Sequence, residues 1–128
     1  MEKIKIKEVT EIREIVNNLK LTNITLETGK ENAFIPQENK FILTENITSN
    51  VQNLLQLCKS LINVDLTKFK FDNVKTMQGW FAYCENLTNI TFPQMVYCNK
   101  LTNMVTTFRN TKIKHFNFTN WIFKKDLR

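Results

Sequence analysis

The stretch MQGWFAYCENLTNITF, residues 77–92, decides the fold. Large apolar residues crowd its first half and stop at Cys84; LTNITF then sets apolar residues at Leu87, Ile90 and Phe92. That spacing is neither a plain strand nor a plain helix, and it recurs on both sides. A displacement of 26 residues lays Val51 on Met77, Leu54 on Trp80, Leu55 on Phe81 and Cys58 on Cys84. The same displacement carries Leu61, Val64 and Leu66 onto Leu87, Ile90 and Phe92, and these onto Ile113, Phe116 and Phe118. LINVDL, LTNITF and IKHFNF thus share one pattern. A fixed period of this length marks an architecture of stacked repeats.

Within each unit, L-x-x-(V/I/F)-x-(L/F) predicts a short strand, because its last two apolar residues lie two apart and point to one face. VKTMQGWFAYC places Val74, Met77, Trp80, Phe81 and Cys84 at three-and-four spacing, which predicts one face of a short helix. Leu101, Met104 and Phe108 repeat that spacing one residue late, so the loop before them holds one extra residue. A strand, a loop and a short helix cannot bury their apolar side alone, whereas stacked copies can.

This pattern resembles leucine-rich repeats. More closely it resembles the BspA-like subtype of bacterial surface proteins, in which D-L-x-x-F-x-x-x-x-V-x-x-M-x-x-M/W-F-x-x-C is the repeated unit. Asp65, Leu66, Phe69, Val74, Met77, Trp80, Phe81 and Cys84 match it position by position, and partial matches extend over residues 51–123. The resemblance implies an α/β fold: a short right-handed leucine-rich-repeat-like solenoid with parallel strands along one side, and a binding role. The opening MEKIKIKEVTEIREIV has no long apolar run, so a short, non-exported variant is expected.

The N-terminal third lies outside this register. VTEIREIVNNLKL predicts an amphipathic helix through Ile12, Ile15, Val16 and Leu19, with Thr10 as its N-cap. Such a helix would cover the open end of the stack. The next segment predicts strands around Ile24 and Phe41 with a turn near Gly29. LTNITL, residues 21–26, nearly repeats LTNITF and fits either a first, degenerate coil or a hairpin capping the sheet edge. The expected division is 1–50, capping helix and strands, and 51–128, repeat coils with a basic C-terminal end.

At 128 residues the chain reads as one domain, large enough to fold without disulfides or metal. Apolar residues at 42%, with only two Gly and two Pro, exclude a linker or a disordered chain. No segment approaches the ~20 apolar residues of a membrane span, so a cytoplasmic protein without membrane contact is expected. Cys58, Cys84 and Cys98 are odd in number and lack metal-ligand spacing, which predicts reduced thiols. Cys58 and Cys84 hold a core position of the repeat, whereas Cys98 falls outside the register and is expected at the surface.

His115 is the only histidine, which excludes a two-histidine mechanism or metal site; a surface role is expected for it. The acids show no spacing suited to paired acid–base work, and two glycines leave no phosphate loop. No cofactor, no metal and no catalytic residue is therefore expected. Five N-x-T triplets, beginning at Asn23, Asn46, Asn86, Asn89 and Asn117, fit an Asn- and Thr-rich chain rather than glycosylation.

Charge is unevenly placed. Residues 1–98 hold 11 basic and 11 acidic side chains, whereas 99–128 hold seven and one, so the whole net charge of +6 lies in the last 30 residues. Such asymmetry fits a nucleic acid, a ribonucleoprotein or an acidic protein as partner, or a solvated end that favours solubility. The basic side chains include Arg109, Lys112, Lys124, Lys125 and Arg128, with Trp121 and Phe123 beyond the last expected strand, either as free aromatics or closing the C-terminal end of the stack. Phe108, Phe116 and Phe118 are expected in the core. The exposed strand positions, Asn63, Asp65, Asn89, Thr91, Lys114 and Asn117, are the expected contact face for a protein partner.

The function expected is that of a small non-catalytic interaction module that occupies a partner's surface. One alternative is an inhibitor encoded by a mobile element and aimed at a host-defence ribonucleoprotein nuclease, of the anti-CRISPR type. Another is a fragment of a BspA-like adhesin. An enzyme using His115 or Cys98 is the remaining option.

Overall fold

The computed structural model describes residues 2–123. Eight strands and two helices follow in the order β1 (Ile4–Lys5), α1 (Thr10–Leu19), β2 (Asn23–Thr28), β3 (Ala33–Ile35), β4 (Lys40–Leu43), α2 (Glu45–Thr48), β5 (Asn63–Asp65), β6 (Asn89–Thr91), β7 (Val96–Cys98) and β8 (Trp121–Phe123). Six strands form one sheet in the order β1-β3-β4-β2-β5-β6, and β7 and β8 form a separate parallel pair. Strands β4, β2, β5 and β6 run parallel, while β3 is antiparallel to β1 and β4. The fold is therefore mixed α/β, with a mostly parallel sheet and few helices.

Alternation explains the parallel strands. Ile24 and Leu26 turn into the core from β2 while Asn23 and Thr25 turn outward, and Val64 does the same between Asn63 and Asp65. In register, Ile24 lies beside Val64 and Val64 beside Ile90. LTNITL thus provides a parallel strand between β4 and β5 and is not half of a hairpin; the hairpin is formed by β3 and β4.

Residues 77–84 do not form the expected helix. They make successive tight turns, with Trp80 N bonded to Met77 O, Ala82 N to Gly79 O and Cys84 N to Phe81 O at 3.1–3.2 Å. The intervening amides point forward: Gly79, Phe81 and Tyr83 donate to Val105, Thr107 and Arg109 carbonyls at 2.7–3.1 Å. Asn53, Leu55 and Leu57 donate to Gln78, Trp80 and Ala82 at 2.7–2.9 Å in the same way. Left-handed residues recur four apart, at Asn53 and Leu57, Gly79 and Tyr83, Thr106 and Asn110. A turn of four residues buries positions 77, 80, 81 and 84, the same spacing as a helix of 3.6 residues per turn.

Helix α1 forms as expected but starts at Thr10, whose side chain does not cap it. The Glu11 carboxylate accepts instead from Lys7 N and Glu8 N at 2.9 and 2.8 Å. Ile12 and Val16 enter the core, and Arg13 Nη1 donates to Asn53 O at 2.6 Å, which ties the helix to the first of the stacked turns.

Residues 113–118 do not form the expected third strand. Lys112 N reaches Leu87 O at 2.9 Å, but no ladder to β6 follows. Phe116 replaces the smaller Val64 and Ile90 of the earlier units. Its ring packs 4.6 Å from that of Phe108, 5.6 Å from Phe92 and 5.4 Å from Trp121. Phe116 is half-buried, and Phe118, expected inside, is 44% exposed.

One further expectation is corrected, and one alternative is decided. Cys98 is buried, because alternation along β7 turns Val96 and Cys98 inward and Tyr97 outward. Trp121 is not a free aromatic: it is paired with Val96 across β7 and β8, is 8% exposed, and packs against Phe71, Phe92 and Phe116.

Candidate functional site

The outer face of the parallel sheet is polar and ordered by its own side chains. Asn63 Nδ2 donates to Asn23 Oδ1 at 2.6 Å, and Asn89 Nδ2 donates to Asn63 Oδ1 at 3.0 Å. Three strands thus carry one asparagine column, with each amide fixed by its neighbour. Beside it, Asp65 is in register with Thr25 and Thr91. Its carboxylate accepts from Thr67 N at 2.8 Å, which fixes its rotamer. An opening of about 350 Å³ lies over this face, lined by Asn23, Thr25, Glu38, Asn63, Asp65 and Thr91 among others.

One flank of the face is an ion cluster. Lys40 lies 3.0 Å from Glu38 and 3.4 Å from Glu27. The hydrogen bond that Lys40 donates to Glu38 raises its ammonium above its ordinary pKa, burial opposes this, and the charges of Glu27 and Glu38 add to the rise. With Asp65 on the same side, this cluster holds three acids and one lysine.

The other flank is basic. Arg109 is exposed, with its guanidinium 5.7 Å from the centroid of the Tyr83 ring. Lys112 and Lys114 are exposed. Among residues 99–123 there are four basic side chains and no acid. Lys124, Lys125 and Arg128 lie outside the described residues.

Of the six expected face residues, Asn63, Asp65, Asn89 and Thr91 stand together on β5 and β6. Lys114 and Asn117 lie on the segment 113–118, across an opening of about 200 Å³ lined by Asn89, Ile90, His115 and Phe116 among others. Asn23 and Thr25 belong to the same face but were set aside with the N-terminal third. The near identity of LTNITL to LTNITF was the signal that places Asn23 in the column.

The thiols sit apart from this surface. All three are free and buried. Cys84 Sγ donates to Leu55 O at 3.0 Å. Hydrogen bonding with Cys84, and then burial, raises Cys58 well above an ordinary thiol. Burial, assisted by the charge of Asp72, pushes Cys98 up to about 12. His115 is exposed, so it does not meet a thiol at the surface. Among the described residues, no cluster of His, Cys, Asp and Glu could hold a metal ion, and no helix is long and apolar enough to cross a membrane.

Neither a family model, a curated protein nor a solved structure matches the chain.

Proposed function

We propose that this protein is a small, non-catalytic, cytoplasmic interaction module that acts by occupying a partner's surface. Its architecture is read as a short right-handed solenoid of the BspA-like leucine-rich-repeat type, with the inter-turn hydrogen bonds at every second residue and the left-handed residues four apart as support. The observation that carries the functional reading is the asparagine column Asn23–Asn63–Asn89. A face whose side chains are already fixed loses little entropy on docking, so polar contacts add to affinity rather than to ordering.

The exposed Arg109, Lys112 and Lys114, with no acid among residues 99–123, favour a second reading. In it the partner is a ribonucleoprotein, and the chain is an inhibitor of a host-defence nuclease of the anti-CRISPR type. Electrostatic attraction to phosphates would then steer the encounter.

Capture from a lysate of the source organism separates the two. The immobilised wild type is compared with Asn89→Lys/Thr91→Lys and with Lys112→Glu/Lys114→Glu, each with and without nuclease. The first reading expects a protein lost in the Asn89→Lys/Thr91→Lys variant and kept after nuclease. The second expects loss in the lysine variant and after nuclease. A partner retained by every variant overturns both.

A further inference from the structure

We propose that the open edge of β6 takes up an extended acidic segment of a partner protein as an added strand. This rests on the interaction-module reading and narrows it from the sheet face to the sheet edge.

Strand β6 is the last in its sheet. Its backbone is committed on one side only. Asn89 N donates to Ile62 O at 3.2 Å, and Thr91 O accepts from Leu66 N at 2.7 Å, so both residues turn their backbone groups to β5. Successive residues of a strand alternate in direction, so the N–H and C=O of Ile90 point to the open side. On that side the repeat places residues 113–118, which lie across an opening of about 200 Å³ lined by Ile90 and His115 and make no backbone hydrogen bond to residues 88–92, so an added strand would take their place. The asparagine column also ends there. Asn89 donates to Asn63, while its Oδ1 accepts no hydrogen bond among the described residues. A strand that is unpaired at its edge is a template for another chain.

Charge selects the occupant. The edge is flanked by exposed Lys112 and Lys114, and residues 99–123 carry no acid. A second copy docking edge to edge would set these lysines against their own counterparts, and like charges directly opposite each other on paired strands are unfavourable. An acidic segment gains where a second copy loses. Register fixes the rest. The incoming residue beside Ile90 must be apolar to continue the column of Ile24, Val64 and Ile90. The one beside Phe92 must be apolar too. The residue beside Asn89 is best an asparagine, which would donate to the open Oδ1. The segment sought is therefore asparagine, β-branched residue, acid, apolar residue, with acids on either side.

Fluorescence anisotropy with the full chain and a labelled hexapeptide, Asp-Asn-Ile-Asp-Phe-Asp, tests this. Controls are the same peptide with lysine for each aspartate and a version N-methylated at alternate amides. The acidic peptide is expected to bind at least about tenfold tighter than the lysine peptide, a difference of one decade in Kd. N-methylation should abolish binding, and Lys112→Glu/Lys114→Glu should weaken it by about tenfold or more. Because the peptide rather than the protein is altered, misfolding cannot mimic the N-methyl result. Binding of the N-methylated peptide equal to its parent overturns the proposal, as does no binding at about 1 mM. So does protection of the Ile90 amide from hydrogen exchange in the free protein, which would mean that residues 113–118 close the edge themselves. A concentration-dependent dimer would assign the edge to a second copy. If the peptide fails while Asn89→Lys/Thr91→Lys still abolishes capture of a partner, the edge is wrong and the face reading stands. If the peptide binds and capture is insensitive to the face, the reverse holds.

Discussion

Asn53 sits directly over Gly79. A Cβ added to Gly79 would lie 2.0 Å from Asn53 Oδ1, and Gly79 has φ +67°, where an L side chain is strained. The two residues hold the same place in consecutive turns, both left-handed. Gly79→Ala is expected to destabilise the protein by about 1–3 kcal/mol. Adding Asn53→Gly should recover the contact part and leave the backbone part. Urea unfolding of the single and double variants measures both; an unchanged midpoint in Gly79→Ala would contradict the stacking described.

Trp80 is fully buried and its Nε1 donates to Val51 O at 2.7 Å. Trp80→Phe keeps most of the apolar bulk but leaves that carbonyl without its donor. The expected loss is about 1–3 kcal/mol from the unsatisfied group, with a further contribution from the space vacated. Val51→Ala would not reproduce it, because the acceptor is backbone. Thermal unfolding of the two variants side by side checks the distinction.

The asparagine column predicts coupling rather than large single effects. Asn23→Ala removes one surface hydrogen bond and Asn63→Ala two, each worth roughly 0.5–1.5 kcal/mol net. A double-mutant cycle should show a coupling of about 0.5 kcal/mol or more between them, since they share a bond. Asn23 and Asn89 do not bond each other, so their cycle should be close to additive.

Cys98 gives a pH dependence with a defined sign. Its thiol is pushed up to about 12 by burial, with Asp72 adding to it, whereas an unfolded cysteine titrates near ~8.5. The folded state therefore keeps a proton that the unfolded state loses. The stability held below about 8.5 falls as pH rises toward about 12. Cys98→Ala should flatten that part of a stability–pH curve. The native protein should also react slowly with a thiol reagent at pH 8, and quickly once unfolded.

How far the sequence could be read depended on which physical period each element obeys. Val64 and Ile90 were legible from the 26-residue recurrence, whereas the near-copy LTNITL left Ile24 open between a coil and a hairpin. Helix α1 was legible from Ile12 and Val16. Residues 77–84 were misread because turns of four and helical turns of 3.6 bury the same positions over so short a run. Only the left-handed residues separate the two, and of these Gly79 alone is a glycine. Strands β7 and β8 were missed as runs of three, although V-Y-C and W-I-F both alternate. Residues 113–118 matched the strand pattern by polarity, but pattern does not weigh the volume of Phe116 against that of Val64. Half of the asparagine column was visible in Asn63 and Asn89; Asn23 was lost by assigning its segment to a cap.

The forward-pointing amides of the stacked turns have an electrical consequence. Seven bonds, from Asn53, Leu55, Leu57, Met77, Gly79, Phe81 and Tyr83, all run from an N–H in one turn to a C=O in the next. Each peptide unit carries a dipole of about 3.5 D. In most sheets such dipoles nearly cancel, but along this wall they add. The negative pole lies at the first of these turns, the one to which Arg13 ties helix α1. The positive pole emerges at the turn that carries Arg109. Backbone and side chains therefore polarise the molecule in the same direction, and an approaching anion is drawn to that end by both.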